Sequence, residues 1–179
     1  IIAFLILSLI LWNYLNLRIK KNTDVKLTYN LPLFFLFIIF CQIVIGAFVS
    51  GMDAGKVYNT WPLMGTSYFP NDSRFVEFFN ISLFDNPSIV QFIHRNLAYL
   101  ICFIYLYILY EVLKNGNSRL KFPILIIGGT LLFQIFLGIL TILSGVKIFY
   151  ASLHQINSIL IIISTLYFLY ITKNKEIIN

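Results

Sequence analysis

Charge is scarce in this sequence. Only 11% of its 179 residues are Asp, Glu, Lys or Arg, where a soluble domain carries about 25%. Too few charges remain to coat a globule, which excludes a cytosolic enzyme, a nucleic-acid binder and a disordered chain. Cysteine is equally sparse: Cys41 and Cys102 both lie inside apolar runs, so no disulfide framework is indicated. There is no low-complexity stretch. There is no initiator Met, and residues 1–17 lack the basic start and small-residue cleavage site of a signal peptide. They read as the tail of a transmembrane helix, and the chain as the C-terminal fragment of a longer protein. What is abundant is apolar: 59% hydrophobic and 17% aromatic residues, with a mean hydropathy of +0.86. The composition describes an all-α integral membrane protein.

A bilayer core takes about 20 mostly apolar residues as helix. Five stretches qualify: Ile1–Leu17, Leu31–Ser50, Ile89–Tyr110, Phe122–Gly145 and Ile148–Ile171. Pro32 and Pro123 are expected at helix starts, where a missing N–H costs little. The net charge of +6 is then a topology signal rather than the mark of an acidic partner. Arg18, Lys20, Lys21 and Lys26 flank one connection, Lys114, Arg119 and Lys121 another, and Lys173 and Lys175 the tail. These segments alternate with a long acidic loop over 51–88, so the positive-inside rule puts them on the cytoplasmic or matrix side. The expected organisation is a truncated helix over 1–17, a cytoplasmic linker over 18–30, a four-helix bundle over 31–172 and a cytoplasmic tail over 173–179. Within the external loop, Arg74–Phe84 is apolar and aromatic and follows the capping cluster Asn71-Asp72-Ser73. It predicts a short interfacial helix.

The second and fourth spans share a pattern. Phe40-Cys41-Gln42-Ile43 followed by Gly46 matches Leu132-Phe133-Gln134-Ile135 followed by Gly138. Each span leads into a loop and returns through a helix bearing a histidine. Two copies of one helical hairpin would set equivalent residues across a pseudo-twofold axis.

His94 and His154 are the two histidines, each five or six residues into a returning helix, roughly 8–9 Å from its loop end. Equal depth on repeat-related helices suits the axial ligands of one planar metal macrocycle, and imidazole is a common heme ligand. The alternative is ordinary polar residues bonded between helices, but ionisable groups inside a membrane point first to function. Zinc fits poorly, since no Cys, Asp or Glu completes four ligands. A proton relay would want carboxylates in the spans, and they hold none. Small residues (Ala98, Ala151, Ser152 and Ser158) would leave room for a flat macrocycle. Arg95 stands about 100° around the helix from His94. It could pair with a heme propionate or snorkel to the interface. Gln42 and Gln134 read as interhelical hydrogen-bonders. Gly46, Gly138, Gly128 and Gly129 read as sites of close helix approach, and the cysteines as core filler.

The stretch Gly46-Ala47-Phe48-Val49-Ser50-Gly51-Met52-Asp53-Ala54-Gly55-Lys56-Val57-Tyr58-Asn59-Thr60-Trp61-Pro62-Leu63-Met64-Gly65 is a tightly turned exit from the second span. Taken with Gln91-Phe92-Ile93-His94-Arg95 and Ala151-Ser152-Leu153-His154-Gln155, it resembles the heme A synthase family, in its mitochondrial and alphaproteobacterial branch. The resemblance implies eight transmembrane helices in two similar halves and the oxidation of a heme O methyl to the formyl of heme A, for cytochrome c oxidase. It implies heme b between two histidines of the C-terminal half, which map to His94 and His154. It implies that the substrate heme and the catalytic residues belong to an N-terminal half not represented here. Partners would be heme O through that half, heme O synthase or oxidase assembly proteins, and the lipid bilayer, in a bacterial or mitochondrial inner membrane. A bis-histidine cytochrome b-type anchor fits the histidines as well but leaves the Gly46–Gly65 motif unexplained. A heme-free transporter or assembly protein would be colourless.

Overall fold

In hydrocarbon the backbone has to satisfy its own N–H and C=O groups, and a continuous helix does so within one segment. Long runs of Leu, Ile and Phe therefore become helices here. The structure, a computed structural model, describes residues 1–18, 27–116 and 118–172. Among these, five α-helices form: α1 (Ile2–Arg18), α2 (Asn30–Gly51), α3 (Pro87–Lys114), α4 (Ser118–Leu143) and α5 (Ile148–Thr172). The last four are long and apolar enough to cross a membrane, while α1 has 17 residues. No strand forms among the described residues, only an isolated bridge between Met64 and Ser67.

The helices overrun the apolar stretches that mark them. α3 continues past Tyr110 to Lys114, and α4 begins at Ser118 rather than at Phe122. Glu111, Lys114, Arg119 and Lys121 are good helix formers, so polar turns extend both helices beyond the hydrocarbon. Pro123 consequently lies inside α4 rather than at its start. It withholds a single hydrogen bond, the one to the Arg119 carbonyl, within the second turn. Lys20, Lys21, Lys26, Lys173 and Lys175, on which much of the expected sidedness rests, lie outside the described residues.

α4 packs most extensively on α5, and α2 on α3, giving two antiparallel hairpins. The hairpins close into a four-helix bundle through α2 against α5 and α3 against α4, and α1 leans on α5. There Trp12 meets the Tyr170 ring edge-on, with centroids 5.5 Å apart. The tight core sits away from the 52–86 loop and includes Phe35, Ile39, Ile108, Ile124, Ile127, Ile162 and Phe168. Phe37, Phe103, Phe122 and Leu132 point outward and are exposed, as the lipid-facing sides of spanning helices are. Gly128 is a point of close approach. A Cβ there would collide with the hydroxyl of Tyr105, which donates to the Ile124 carbonyl at 3.2 Å. Gly129 meets no neighbour.

The long loop is built, not slack. Asp53 and Gly65 take left-handed conformations, with φ of 54° and 72°. Gly55 admits Val146 of the α4–α5 turn, whose Cγ2 would lie 3.1 Å from a Cβ at that glycine. Asn59 donates to the Ile142 carbonyl at 3.1 Å. Both contacts tie the first hairpin's loop to the second hairpin's turn. Arg74–Phe84 forms two short 3-10 helices, Phe75–Phe79 and Ile81–Asp85, in place of the single helix its composition suggests. Asn80 is extended between them. A 3-10 turn eclipses residues three apart, which sets Phe75 on Phe78 at 5.5 Å and both against Phe69. The cluster Asn71-Asp72-Ser73 does not cap this segment. Asp72 instead accepts from Ser88 at 2.7 Å and from Tyr58 at 2.9 Å, joining the loop to the start of α3. Asn86 is the N-cap of α3. It accepts from the Ser88 and Ile89 backbone N–H groups, and its amide donates to Glu77 at 2.9 Å.

Asn86→Ala should cost about 1 kcal/mol, read as a lower unfolding midpoint in detergent. Partial desolvation pushes the Asp72 carboxyl up, but hydrogen bonds from Ser88, Tyr58 and Ser73 outweigh it and hold the pKa below the ordinary 3.8. Such a group stabilises fully above its unfolded pKa, and that contribution is lost as pH falls through the lower folded value. Proteolytic cutting within 52–86 should therefore stay flat from pH 8 to pH 5, on the order of the range in which carboxylates remain ionised, and rise only below about 4. Asp72→Asn should raise it at neutral pH.

Candidate functional site

The two hairpins carry one arrangement twice. Gln42 on α2 places its amide nitrogen 3.3 Å from His94 Nε2 on α3, and Gln134 on α4 places its own 3.3 Å from His154 Nε2 on α5. One turn further along, a glycine lets each imidazole lie against the facing helix. A Cβ at Gly46 would stand 3.1 Å from His94 Cε1, and one at Gly138 would stand 3.1 Å from His154 Cε1. These glycines thus serve the histidines specifically, and the glutamines do more than bridge helices. The shared Gln-x-x-x-Gly spacing was the available signal: residues four apart lie on one helix face.

Backbone carbonyls, which can only accept, decide the protonation of each ring. His154 Nδ1 lies 3.1 Å from the Gln134 carbonyl, so Nδ1 carries the proton and Nε2 keeps its lone pair. The Gln42 amide donates to the His94 carbonyl at 3.1 Å, so the Nε2 of His94 also accepts from glutamine. His94 Nδ1 and Gln42 Oε1 are both buried without a partner. Each such atom costs roughly 1–3 kcal/mol. The first seat is therefore the less settled of the two.

A void of about 60 Å³ opens between the four helices, one turn from the histidines and away from the loop. Repeat-related residues line it in pairs: Gln42 with Gln134, Ile43 with Ile135, Ala98 with Ser158, and Ile101 with Ile161. Cys102 also reaches it. Of the small residues expected to make room, Ala98 and Ser158 do line it, while Ser152 is exposed.

Arg95 does not project freely. It is 8% exposed and donates to the Tyr58 carbonyl at 3.1 Å and to the Leu63 carbonyl at 3.4 Å. Gln91 donates to the same Tyr58 carbonyl at 3.0 Å. Both side chains clamp the glycine-rich loop over the histidine end of α3, a role that composition alone does not reveal. Arg95 Nε and Gln91 Oε1 remain buried and unpartnered. No group of three or more His, Cys, Asp or Glu side chains converges among the described residues. That leaves two neutral imidazoles as the available donor set. Two nitrogen donors on different helices, with an apolar void one turn away and no acidic competitor among the described residues, fit an iron macrocycle better than a bare ion.

Residues 1–166 match the family model COX15-CtaA, described as cytochrome oxidase assembly protein. The chain is 46% identical over 175 residues to a heme A synthase of Pelagibacter ubique, covering 98% of the chain and 51% of that relative. It is 36% identical to a heme A synthase of Wolbachia pipientis wMel over 94% of the chain and 48% of the relative. It is 34% identical to one of Rickettsia felis over 89% and 47% respectively. No solved structure matches. The chain spans about half the length of the curated relatives it matches. With its four apolar helices, the repeated histidine seat and near-complete coverage by these sequences, the chain is a multi-pass membrane protein that belongs to the cytochrome oxidase assembly family of the heme A synthases.

Proposed function

We propose that His94 and His154 would hold the iron of a heme b, and that residues 31–172 form the heme-binding bundle of a protein that converts heme O to heme A. The Gln–Gly–His seat, repeated on facing hairpins with the same 3.3 Å and 3.1 Å spacings, carries this reading. Each Nε2 lone pair now accepts a glutamine amide at 3.3 Å, a long bond that is easily given up to a metal. Gly46 and Gly138 admit the rings, and Ile43, Ile101, Ile135 and Ile161 give the void one turn away an apolar lining. Arg95, with Nε free, would take a propionate while its other nitrogens hold the loop. The positive-inside rule places the 52–86 loop outside a bacterial or mitochondrial inner membrane, and the C-terminus on the cytoplasmic or matrix side.

Bound by these two imidazoles, a heme b would supply electron transfer or structural support. Methyl oxidation then falls to another part of the protein, with heme O as its substrate. The 179-residue chain by itself holds heme b and does not make heme A.

His94→Ala and His154→Ala should each abolish the low-spin bis-histidine spectrum of the purified chain; full retention in both refutes the ligand assignment. Valine at Gly46 or Gly138 should cut heme loading on the order of tenfold, read as the ratio of Soret to protein absorbance. Co-expression of residues 1–179 with a heme O source should give no heme A in extracted pigment. Heme A formed by this chain alone would sink the division of labour.

A further inference from the structure

Apart from the loop-clamping Gln91 and Arg95, which correspond to Ala151 and Gln155 on α5, the two histidine seats differ in one buried polar side chain that bonds the seat's own glutamine. Asn157 lies on α5, almost one turn beyond His154, and is 3% exposed. Its amide nitrogen donates to the Thr130 carbonyl at 2.9 Å and to Gln134 Oε1 at 2.8 Å. The first bond fixes which end of the Asn157 amide is nitrogen, because a carbonyl can only accept. The second then fixes the Gln134 amide with its nitrogen toward His154 Nε2. The ring is fixed again at Nδ1, by the Gln134 carbonyl. Each bond from Thr130 to His154 therefore has one possible direction.

In the other hairpin, Leu97 occupies the position that matches Asn157. Gln42 Oε1 consequently has no donor; separately, the Gln42 amide donates to the His94 carbonyl and His94 Nδ1 has no acceptor. The asymmetry rests on two orphaned atoms in one seat and a chain of bonds in the other, around the same Gln–Gly–His spacings.

We propose that Asn157 is a positioning residue that locks Gln134 and makes His154 the firmly held heme ligand, leaving His94 as the labile one. This rests on the reading that the two histidines hold heme b. The partner of a metal-bound histidine sets its orientation and basicity, and removing such a partner typically weakens metal binding 10–100-fold. His154 then receives the heme first and releases it last, and the site opens on the His94 side.

The test uses the purified heme-loaded chain, with heme loss followed as transfer to excess apomyoglobin and spin state read by electron paramagnetic resonance. Asn157→Leu, which installs the other hairpin's own residue, should speed heme loss about tenfold and turn part of the retained heme high-spin. A merely structural role would lower the yield without changing the spin state of what remains. Gln134→Leu should act alike, and the double variant should be no worse than either single change. Leu97→Asn, which offers Gln42 the missing donor, should slow heme loss. His94→Ala should keep a five-coordinate high-spin heme, while His154→Ala should lose it. Asn157→Leu matching the wild-type loss rate and spin state would overturn the asymmetry and leave the heme reading standing. If Asn157→Leu does not fold, Leu97→Asn decides: slower loss supports the lock, and unchanged or faster loss overturns it. A wild-type chain with no low-spin heme overturns both, which separates the two failures.

Discussion

A glutamine amide reaching an imidazole on the next helix, across a gap that glycine keeps narrow, is the contact on which the site depends. It does little to hold the bundle together. Interhelical hydrogen bonds within a membrane are worth on average about 0.6 kcal/mol, and at most about 2. The packing of α4 on α5 and of α2 on α3 supplies the cohesion, through residues such as Ile124, Ile127 and Ile162 that are fully buried. What the amide supplies is direction. A ring with no polar neighbour in hydrocarbon could turn about its side-chain bonds, whereas one held at Nε2 and pressed on glycine presents the same nitrogen each time.

Much of this was legible in the residues. Helix number and approximate span followed from apolar length, because a membrane leaves the backbone so few alternatives. His94 and His154 lie seven and six residues into α3 and α5, where five or six were expected, and the repeat was visible in Gln42–Gly46 and Gln134–Gly138. Their role was not, since spacing on one helix says nothing of which partner faces it. The 3-10 pieces over Phe75–Asp85 were hidden for a related reason. An apolar stretch of that length suits several local geometries, and the aromatic packing of Phe69, Phe75 and Phe78 selects between them. Asn157 escaped attention because a single Asn in an apolar span resembles any other interhelical polar residue until its partners are known.

The loop explains how a buried arginine is tolerated. Arg95 has no carboxylate within salt-bridge distance: among the described residues the one ion pair joins Lys56 to Asp53, on the exposed loop. Two backbone carbonyls take its place, and they are available because Asp53 and Gly65 turn the chain back on itself. The glycine-rich motif and the arginine are therefore one structure, in which the turn offers carbonyls and the guanidinium holds the turn. The same turn reaches the second hairpin through Asn59 and Gly55. A change at the loop is thereby felt at both histidine-bearing hairpins.

Two-fold resemblance between hairpins gives two histidines in matching glutamine–glycine settings, which under the proposed function would hold one flat ligand from both sides. Strict symmetry would also make the two donors equal, with neither preferred for capture or release. Position 97/157 breaks that equality at small structural cost. Leu97 and Asn157 differ little in size, yet one leaves a glutamine oxygen stranded and the other pairs it. In water that difference would be blurred by solvent, which would satisfy either amide. Inside a hydrocarbon layer nothing else can do so. Under the proposed asymmetry, this one side chain would make the His154 seat the more rigid of the two.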